Sequence, residues 1–149
     1  MRTVVALRLV VPALWVGMLL ALSFIEAPLK FLAPGITTPL GLGIGRLVFT
    51  ALAIIGWGML VVLTALAVLR PRVMRADWAV LGALWVVLAV QSLVIRPPLN
   101  ARSDIIIAGG DPGESWLHYA YIASDVILLA LLVVWIVRTA RALPQHVPA

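Results

Sequence analysis

Four long apolar stretches constrain this chain more than any other feature of its sequence. Each contains at most one charged side chain, and they cover residues 4–25, 47–69, 78–95 and 116–137. About 20 helical residues, at about 1.5 Å per residue, cross the roughly 30 Å hydrocarbon layer of a bilayer. The sequence therefore predicts an all-α, polytopic membrane protein, in which four transmembrane helices form an antiparallel bundle and a single domain over residues 1–149.

The composition excludes a water-soluble enzyme and an intrinsically disordered chain. Hydrophobic residues make up 64% of the sequence and charged residues only 11%, with a mean hydropathy of +1.15. A soluble domain is about half apolar and about a quarter charged, and disorder requires low hydrophobicity with high charge. The net charge of +5 indicates basic cytoplasmic loops and anionic lipid, and no basic-aromatic cluster of the kind that binds nucleic acid is present.

The distribution of basic residues predicts the orientation of the bundle. If both termini are cytoplasmic, seven arginines lie on the cytoplasmic side and four basic residues lie outside. Cytoplasmic loops carry the excess of Lys and Arg, so we predict a multi-pass protein of the plasma (inner) membrane with both termini cytoplasmic. The cytoplasmic set is Arg2, Arg8, Arg70, Arg72, Arg75, Arg138 and Arg141, and the outer set is Lys30, Arg46, Arg96 and Arg102.

The first apolar stretch has a second interpretation as a secretory signal. It follows Met1-Arg2, and Ala21-Leu22-Ser23 is a possible cleavage site. We favour a first transmembrane helix, because the apolar run is longer than an ordinary signal core and three further spans follow it.

Prolines and capping residues predict where the helices begin and end. The proline-containing segment Glu26–Gly35 is expected to end the first span, and Arg96 is expected to open a polar loop that runs to Gly110. Thr38-Pro39 predicts that the second helix starts well before the membrane. Residues 111–114, Asp-Pro-Gly-Glu, form a capping box by residue type and predict the start of the fourth helix.

Three tryptophans and one carboxylate lie at the predicted middle of the bilayer. The midpoints of the four stretches coincide, within about one residue, with Trp15, Trp57, Trp85 and Asp125. Tryptophan usually lies in the interfacial belt, so three indoles at mid-depth are unexpected. Positions eleven residues apart share one face of a helix. Each of these tryptophans therefore lies on the same face as a charged residue near the outer end of its helix. Those charged residues are Glu26, Arg46 and Arg96.

The fourth helix carries a similar polar stripe. Glu114, His118, Tyr121 and Asp125 fall within about 60° of arc, and the stripe becomes apolar further inward. A charge near the bilayer centre costs at least a few kcal/mol, so it should face protein or water. We therefore expect a polar cavity in the outer half, above a sealed inner half, with the three tryptophans and Asp125 as its floor. The candidate cavity residues are Asp125, Tyr121, His118, Glu114, Glu26, Arg46 and Arg96.

Structural roles explain the same residues and stay open as alternatives. The mid-depth tryptophans are also typical of large packing residues, and the charged residues near helix ends are typical of solvated or capping groups. A neutral Asp125 bonded to an indole or to Tyr121 is an adequate structural role. Gly41 and Gly45 indicate close helix approach instead of nucleotide binding, since no strand precedes them and no P-loop lysine follows.

Cofactor sites find little support in the sequence. The chain has no cysteine, and its two histidines are His118 and His146. Haem with two histidine ligands from one subunit is excluded on the predicted topology, because His146 then lies in the cytoplasmic tail. A metal site built from His118, Asp125 and Glu26 is conceivable, but no ligand spacing marks one. We predict no catalytic residue, no metal site and no cofactor.

Short motifs spread along the chain resemble those of a known family. The motifs are Leu14-Trp-Val-Gly17, Glu26-Ala-Pro-Leu-Lys-Phe31, Gly45-Arg-Leu-Val-Phe49, Arg96-Pro-Pro-Leu-Asn100, and His118-Tyr-Ala-Tyr121 followed by Asp125. Over nearly the whole chain they resemble the four-helix membrane family that includes the transmembrane protein 205-like proteins. That family often has Glu where this chain has Asp125. The resemblance implies an integral membrane protein without established chemistry.

These observations support two main functional hypotheses. The first is a small, non-enzymatic membrane protein that serves as an accessory or scaffolding subunit, in contact with lipid and with other membrane subunits or copies of itself. The alternative is a binding or transport module, with an outward-facing polar cavity for a small solute, a cation or a quinone-like lipid. A redox or metal-dependent membrane enzyme is a third class. Asp125 discriminates among them, because only the second class needs its charge for binding.

Overall fold

A computed structural model describes residues 2–142, and over this range the chain is all-helical. Four helices are long and apolar enough to cross a membrane, as the sequence predicts. They are α1 (Arg2–Leu32), α2 (Thr38–Val68), α3 (Arg75–Ile107) and α4 (Leu117–Arg141). Each helix is longer than its predicted apolar stretch: α1, α2 and α3 extend mostly at the end that carries the α1–α2 and α3–α4 connections, and α4 extends at its carboxyl end.

Helix α1 continues past Pro28 and ends at Leu32, within the segment Glu26–Gly35 that was expected to end it. A π-helical segment, Leu20–Glu26, comes just before this proline, and the backbone N–H of Ala27 bonds to the carbonyl of Leu22, five residues back. The wider π turn relieves the clash that a proline ring causes in an α-helix. The helix then ends in a short 3₁₀ turn, Lys30–Leu32.

Helix α3 has the same construction, which overturns the predicted loop from Arg96 to Gly110. Val90–Ile95 is π-helical, and the following helical segment, Arg96–Ile107, has proline in its first turn. As in α1, the wider π turn before the prolines accommodates their rings, so the helix continues to Ile107. Only the last residues of the predicted loop lie outside helix.

The starts of α2 and α4 are fixed by different residues from those predicted. Thr37, one residue before the predicted cap, accepts a hydrogen bond from the backbone of Leu40. The predicted capping box before α4 does not form. Asp111 instead accepts from the backbone N–H of Gly113 in a tight turn, and Gly113 has φ +73°, which is incompatible with a helix. Helix α4 therefore begins only at Leu117.

Hydrogen bonds bring four helix ends together at one end of the bundle, which we call the terminal end. The guanidinium of Arg8 in α1 donates to the carbonyls of Leu66 and Leu69 at the carboxyl end of α2. The indole of Trp135, late in α4, donates to the backbone carbonyl of Arg8. Arg138 of α4 pairs with Asp77 at the start of α3. The opposite end, where the α1–α2 and α3–α4 connections lie, is the cavity end.

A leucine-rich core fills the bundle toward the terminal end. Leu60, Leu63, Leu84 and Leu132 have no exposed surface, and Leu81 and Leu128 are nearly as deeply buried. The core excludes a continuous polar path along the bundle axis. We expected an apolar inner half, but the terminal end also holds a buried charge. Arg8 is 4% exposed and caps the last carbonyls of α2.

Candidate functional site

A cavity of about 430 Å³ lies between the helices at the end of the bundle opposite the terminal end, and all four helices line it. Its walls are mostly apolar, and a small number of polar side chains converge on it. Helix α1 contributes Ser23, Phe24, Ala27, Lys30 and Phe31; α2 contributes Gly41, Gly45, Arg46 and Phe49; α3 contributes Arg96, Asn100 and Ser103; α4 contributes His118, Tyr121, Ile122 and Asp125.

Asp125 is the most deeply buried polar side chain of this cavity, with 2% of its surface exposed. The amide of Gln91 in α3 donates to Oδ1 of Asp125 over 2.6 Å and to the Ser124 hydroxyl over 2.8 Å. The Ser124 hydroxyl in turn donates to the backbone carbonyl of Tyr121. No residue among 2–142 donates to the other carboxylate oxygen of Asp125. That oxygen is therefore available to a donor within the cavity.

Ser23, in the π-helical segment of α1, places a second polar group beside Asp125. Its hydroxyl oxygen is buried, and the carboxyl group of Asp125 is its hydrogen-bonding neighbour. Asp125 and Ser23 thus place a carboxyl group and a hydroxyl on the same part of the cavity wall.

Aromatic rings form much of the remaining wall. All three phenylalanines of the chain, Phe24, Phe31 and Phe49, line the cavity together with Tyr121. The rings of Phe49 and Tyr121 pack edge to face, with centroids 5.4 Å apart. Phe31 lies directly on Gly41, where a Cβ atom would collide with its ring. The close approach expected at Gly41 therefore involves the side chain of Phe31, in the last turn of α1.

Basic side chains surround the rim of the cavity, and two of the three have acidic partners. Lys30 pairs with Glu26 over 3.2 Å, is 10% exposed, and lies 5.6 Å from the centroid of the Phe49 ring. Arg46 forms an ion pair with Asp104. Arg96 donates to the Thr50 hydroxyl, and it has no carboxylate partner within residues 2–142.

The structure brings five of the seven candidate cavity residues to one site. Asp125, Tyr121, His118, Arg46 and Arg96 all line the cavity. The other two lie elsewhere. Glu26 contacts the site only through its ion pair with Lys30, and Glu114 is exposed in the loop before α4.

None of the three tryptophans expected at the floor lines the cavity, and all three have the packing role that was the alternative. Trp15 is buried in the core, where its ring packs against Gly56, but it does not line the cavity. Trp57 and Trp85 pack against each other, with ring centroids 5.4 Å apart, and Trp85 is 36% exposed. Helical phase shows which residues share a face but not which face points inward. In α2 the inward face is the one that carries Leu60 and Gly56.

A neighbouring helix supplies a hydrogen-bond partner for the indole of Trp57 and for that of Trp85. The N–H of Trp57 donates to the Ser92 hydroxyl over 3.3 Å, and that of Trp85 donates to the Thr64 hydroxyl over 3.0 Å. Both bonds join α2 to α3. The pair therefore stabilises helix packing and takes no part in the cavity.

Sequence reasoning missed Ser23, Gln91 and the aromatic wall as parts of the site. Gln91 is the main polar residue of the third apolar stretch, and that signal could have paired it with Asp125 at a similar depth. The confinement of every phenylalanine to residues 24–49 was a second signal. No sequence signal marked Ser23 as part of the site, since a single serine is common in a transmembrane helix.

Residues 2–142 contain no group of three or more His, Asp or Glu side chains placed to hold a metal ion. The conceivable set of His118, Asp125 and Glu26 is thus not assembled. His146, the other histidine considered for haem, lies outside the described residues.

Comparison with known proteins adds no relative: no family model, curated protein or solved structure matches this chain. The resemblance to the transmembrane protein 205-like family stays a prediction.

Proposed function

We propose that this protein is a membrane-embedded binding protein that holds a small, largely apolar molecule in the cavity, with Asp125 as its polar anchor. The observation that carries the proposal is the free carboxylate oxygen of Asp125, which is 2% exposed and lines a cavity of about 430 Å³. Ligand sites have volumes of about 300–1,000 Å³, with apolar walls and a few converging polar groups. The cavity has this size and this chemistry.

The burial of Asp125 supports a binding role on energetic grounds. A carboxylate in an apolar environment is costly unless it is hydrogen-bonded. Gln91 supplies a donor to one oxygen only. A ligand that brings a second donor would satisfy the other oxygen, and this gain would add to the affinity.

The membrane setting is part of the proposal. Contacts between Arg8 and Leu66, Trp15 and Gly56, and Phe31 and Gly41 support an antiparallel α1–α2 pair. Large apolar side chains on the outer surface, such as Leu47 with 75% exposure, are suited to lipid contact. With seven arginines at the terminal end, the positive-inside rule places both termini in the cytoplasm of a plasma membrane and opens the cavity outward.

Binding accounts for the geometry better than a through-pore, because the leucine core closes the bundle below the cavity. The accessory-subunit hypothesis stays a prediction. The exposed apolar surface is what any helix bundle in lipid presents, so it does not favour a protein partner. Transport beyond binding would require a second conformation in which the leucine core opens.

Filling the cavity tests the proposal. Ala27 lines the cavity, so Ala27→Trp places an indole inside it. The matched control is Gly43→Trp, because Gly43 is in the adjacent part of α2, does not line the cavity, and has no atom within 4 Å of a built Cβ. Each full chain is purified from native membranes in mild detergent, and the small molecules that remain bound are identified by mass spectrometry.

We expect a stoichiometric small molecule with the wild type and with Gly43→Trp, and its loss with Ala27→Trp. If the same molecules accompany all three proteins in equal amounts, they are not bound in this cavity, and the proposed function is wrong. Circular dichroism establishes that Ala27→Trp retains its helices, so that a loss of ligand is not a loss of fold.

A further inference from the structure

We infer that the ligand of this cavity is an uncharged amphiphile with a planar, hydroxyl-bearing ring, of the quinol or phenol type, and that it enters sideways from the lipid between α1 and α4. The inference rests on the proposed binding function and names the ligand class and the route. It is carried by three independent observations: the aromatic walls, the charges at the cavity and the divergence of α1 from α4.

The aromatic walls favour a planar ring. The bundle faces lipid mainly with aliphatic side chains, whereas all three phenylalanines and Tyr121 line this one cavity. Aromatic pairs gain up to about 1.5 kcal/mol beyond the burial of their area. A flat ring packed against Phe31 and the Phe49–Tyr121 pair would use this gain, and a ring hydroxyl would donate to the free oxygen of Asp125.

The charges around the cavity disfavour ionic ligands. Lys30 and Arg46 have acidic partners, so Arg96 is the cation on the cavity wall without one within residues 2–142, and it opposes an organic cation. An anion that reaches the deep end would meet Asp125 at close range, where like charges repel strongly. A neutral ring with a hydroxyl group avoids both penalties.

The path of α1 provides the entrance. Arg2–Leu19 packs closely along α4, whereas the π-helical segment beyond Leu19 packs mainly on α2 and keeps contact with α4 through Ser23, beside Asp125. Phe24 of α1 and Ile122 of α4 line the cavity and are 37% and 39% exposed. The cavity therefore reaches the surface between these two helices through apolar side chains, about one helical turn from Asp125. Such an opening admits a ring with its apolar tail left in the lipid.

Binding of matched single-chain probes tests the ligand class. Radiolabelled para-decylphenol is titrated into the full chain in phosphatidylcholine nanodiscs, and para-decylcyclohexanol, decanoate and decyltrimethylammonium are compared with it. We expect saturable binding of the phenol, at least about tenfold tighter than binding of the other three. Phe49→Leu should weaken phenol binding about tenfold, whereas Tyr119→Leu, a highly exposed position outside the cavity, should leave it unchanged.

The outcomes separate this inference from the proposed function. If decanoate or decyltrimethylammonium binds best and Ala27→Trp abolishes that binding, the ligand class is wrong and the cavity still binds a ligand. If no probe binds saturably, the ligand class is also wrong. In that case the molecule that accompanies the wild type but not Ala27→Trp decides whether the proposed function survives.

A fluorophore in the cavity tests the route. The chain has no cysteine, so Ala27→Cys accepts a single bimane label. In vesicles, lipids brominated on the acyl chain should quench the bimane more strongly than aqueous iodide does. Stronger quenching by iodide would show that the cavity opens to water and would overturn the lateral entrance.

Discussion

The side-chain amide of Gln91 donates to Oδ1 of Asp125 over 2.6 Å and joins the π-helical segment of α3 to the middle of α4. Both residues are at least 95% buried. The bond leaves the second carboxylate oxygen of Asp125 free at the cavity wall, which makes this pair the structural basis of the candidate site.

Removing Gln91 alone should destabilise the bundle more than removing both partners. Gln91→Leu leaves the buried carboxylate without its donor, and we expect a loss of about 1–3 kcal/mol in the free energy of unfolding. Combining Gln91→Leu with Asp125→Leu replaces both polar groups by apolar ones, and should cost less than the sum of the single variants. Denaturant unfolding in mixed micelles measures the free energy of unfolding of the wild type, the two single variants and the double variant. Strictly additive losses would contradict the pairing.

Arg8 should be essential to the packing of the terminal end. Its guanidinium donates twice to the carbonyl of Leu66 and once to that of Leu69. Arg8→Leu removes these charge-assisted bonds and should lower the unfolding free energy by about 2–4 kcal/mol. Arg8→Lys should restore only part of it, because an ammonium cannot reproduce the planar fork.

The control for Arg8 is Arg2→Leu, since Arg2 is exposed in the same helix. This variant should change stability by less than about 0.5 kcal/mol. Equal effects of Arg2→Leu and Arg8→Leu would show that the capping bonds contribute nothing specific.

Two glycines of α2 should respond in opposite ways to alanine. A Cβ atom at Gly41 collides with the ring of Phe31, so Gly41→Ala must move this ring away from the cavity wall. We expect a loss of about 1 kcal/mol in stability and weaker binding of the phenol probe. Gly43 has open space around its Cβ position, and Gly43→Ala should stabilise the helix by up to about 1 kcal/mol. Thermal unfolding, followed by circular dichroism, compares the stability of Gly41→Ala and Gly43→Ala with that of the wild type.

Trp85 should be dispensable for ligand binding. Its indole packs on Trp57 and donates to Thr64, outside the cavity. Trp85→Phe removes one hydrogen bond and should cost about 1 kcal/mol in stability, without a change in the affinity for the phenol probe. Weaker binding of the phenol probe by this variant, at unchanged stability, would show that Trp85 contributes to the binding site.

The number and type of helices could be predicted from sequence because the length and apolarity of a stretch decide whether it can span a bilayer. The positions where the helices begin and end could not be predicted in this way. Proline rules describe an isolated α-helix, and they do not anticipate that a preceding π turn accommodates Pro28 in α1. The α4 start was missed because Gly113 adopts a positive φ, which residue type alone permits but does not require.

The candidate site was partly predictable. The stripe of Asp125, Tyr121 and His118 follows from helical periodicity within one helix, and the structure places these residues on one cavity. Relations between helices were harder, because they depend on how each helix is rotated about its axis. Trp57 and Trp85 were misplaced for this reason, and the bond from Gln91 to Asp125 was not foreseen.

The most direct test of the account is ligand retention by two variants of Asp125. Asp125→Asn changes the free oxygen into an amide donor if the remaining oxygen still accepts from Gln91. Asp125→Leu removes the polar anchor altogether. We predict that both variants keep the helical circular dichroism of the wild type, that Asp125→Asn weakens binding of para-decylphenol about tenfold, and that Asp125→Leu abolishes it. Wild-type affinity in both variants would contradict the claim that Asp125 anchors a ligand in this cavity.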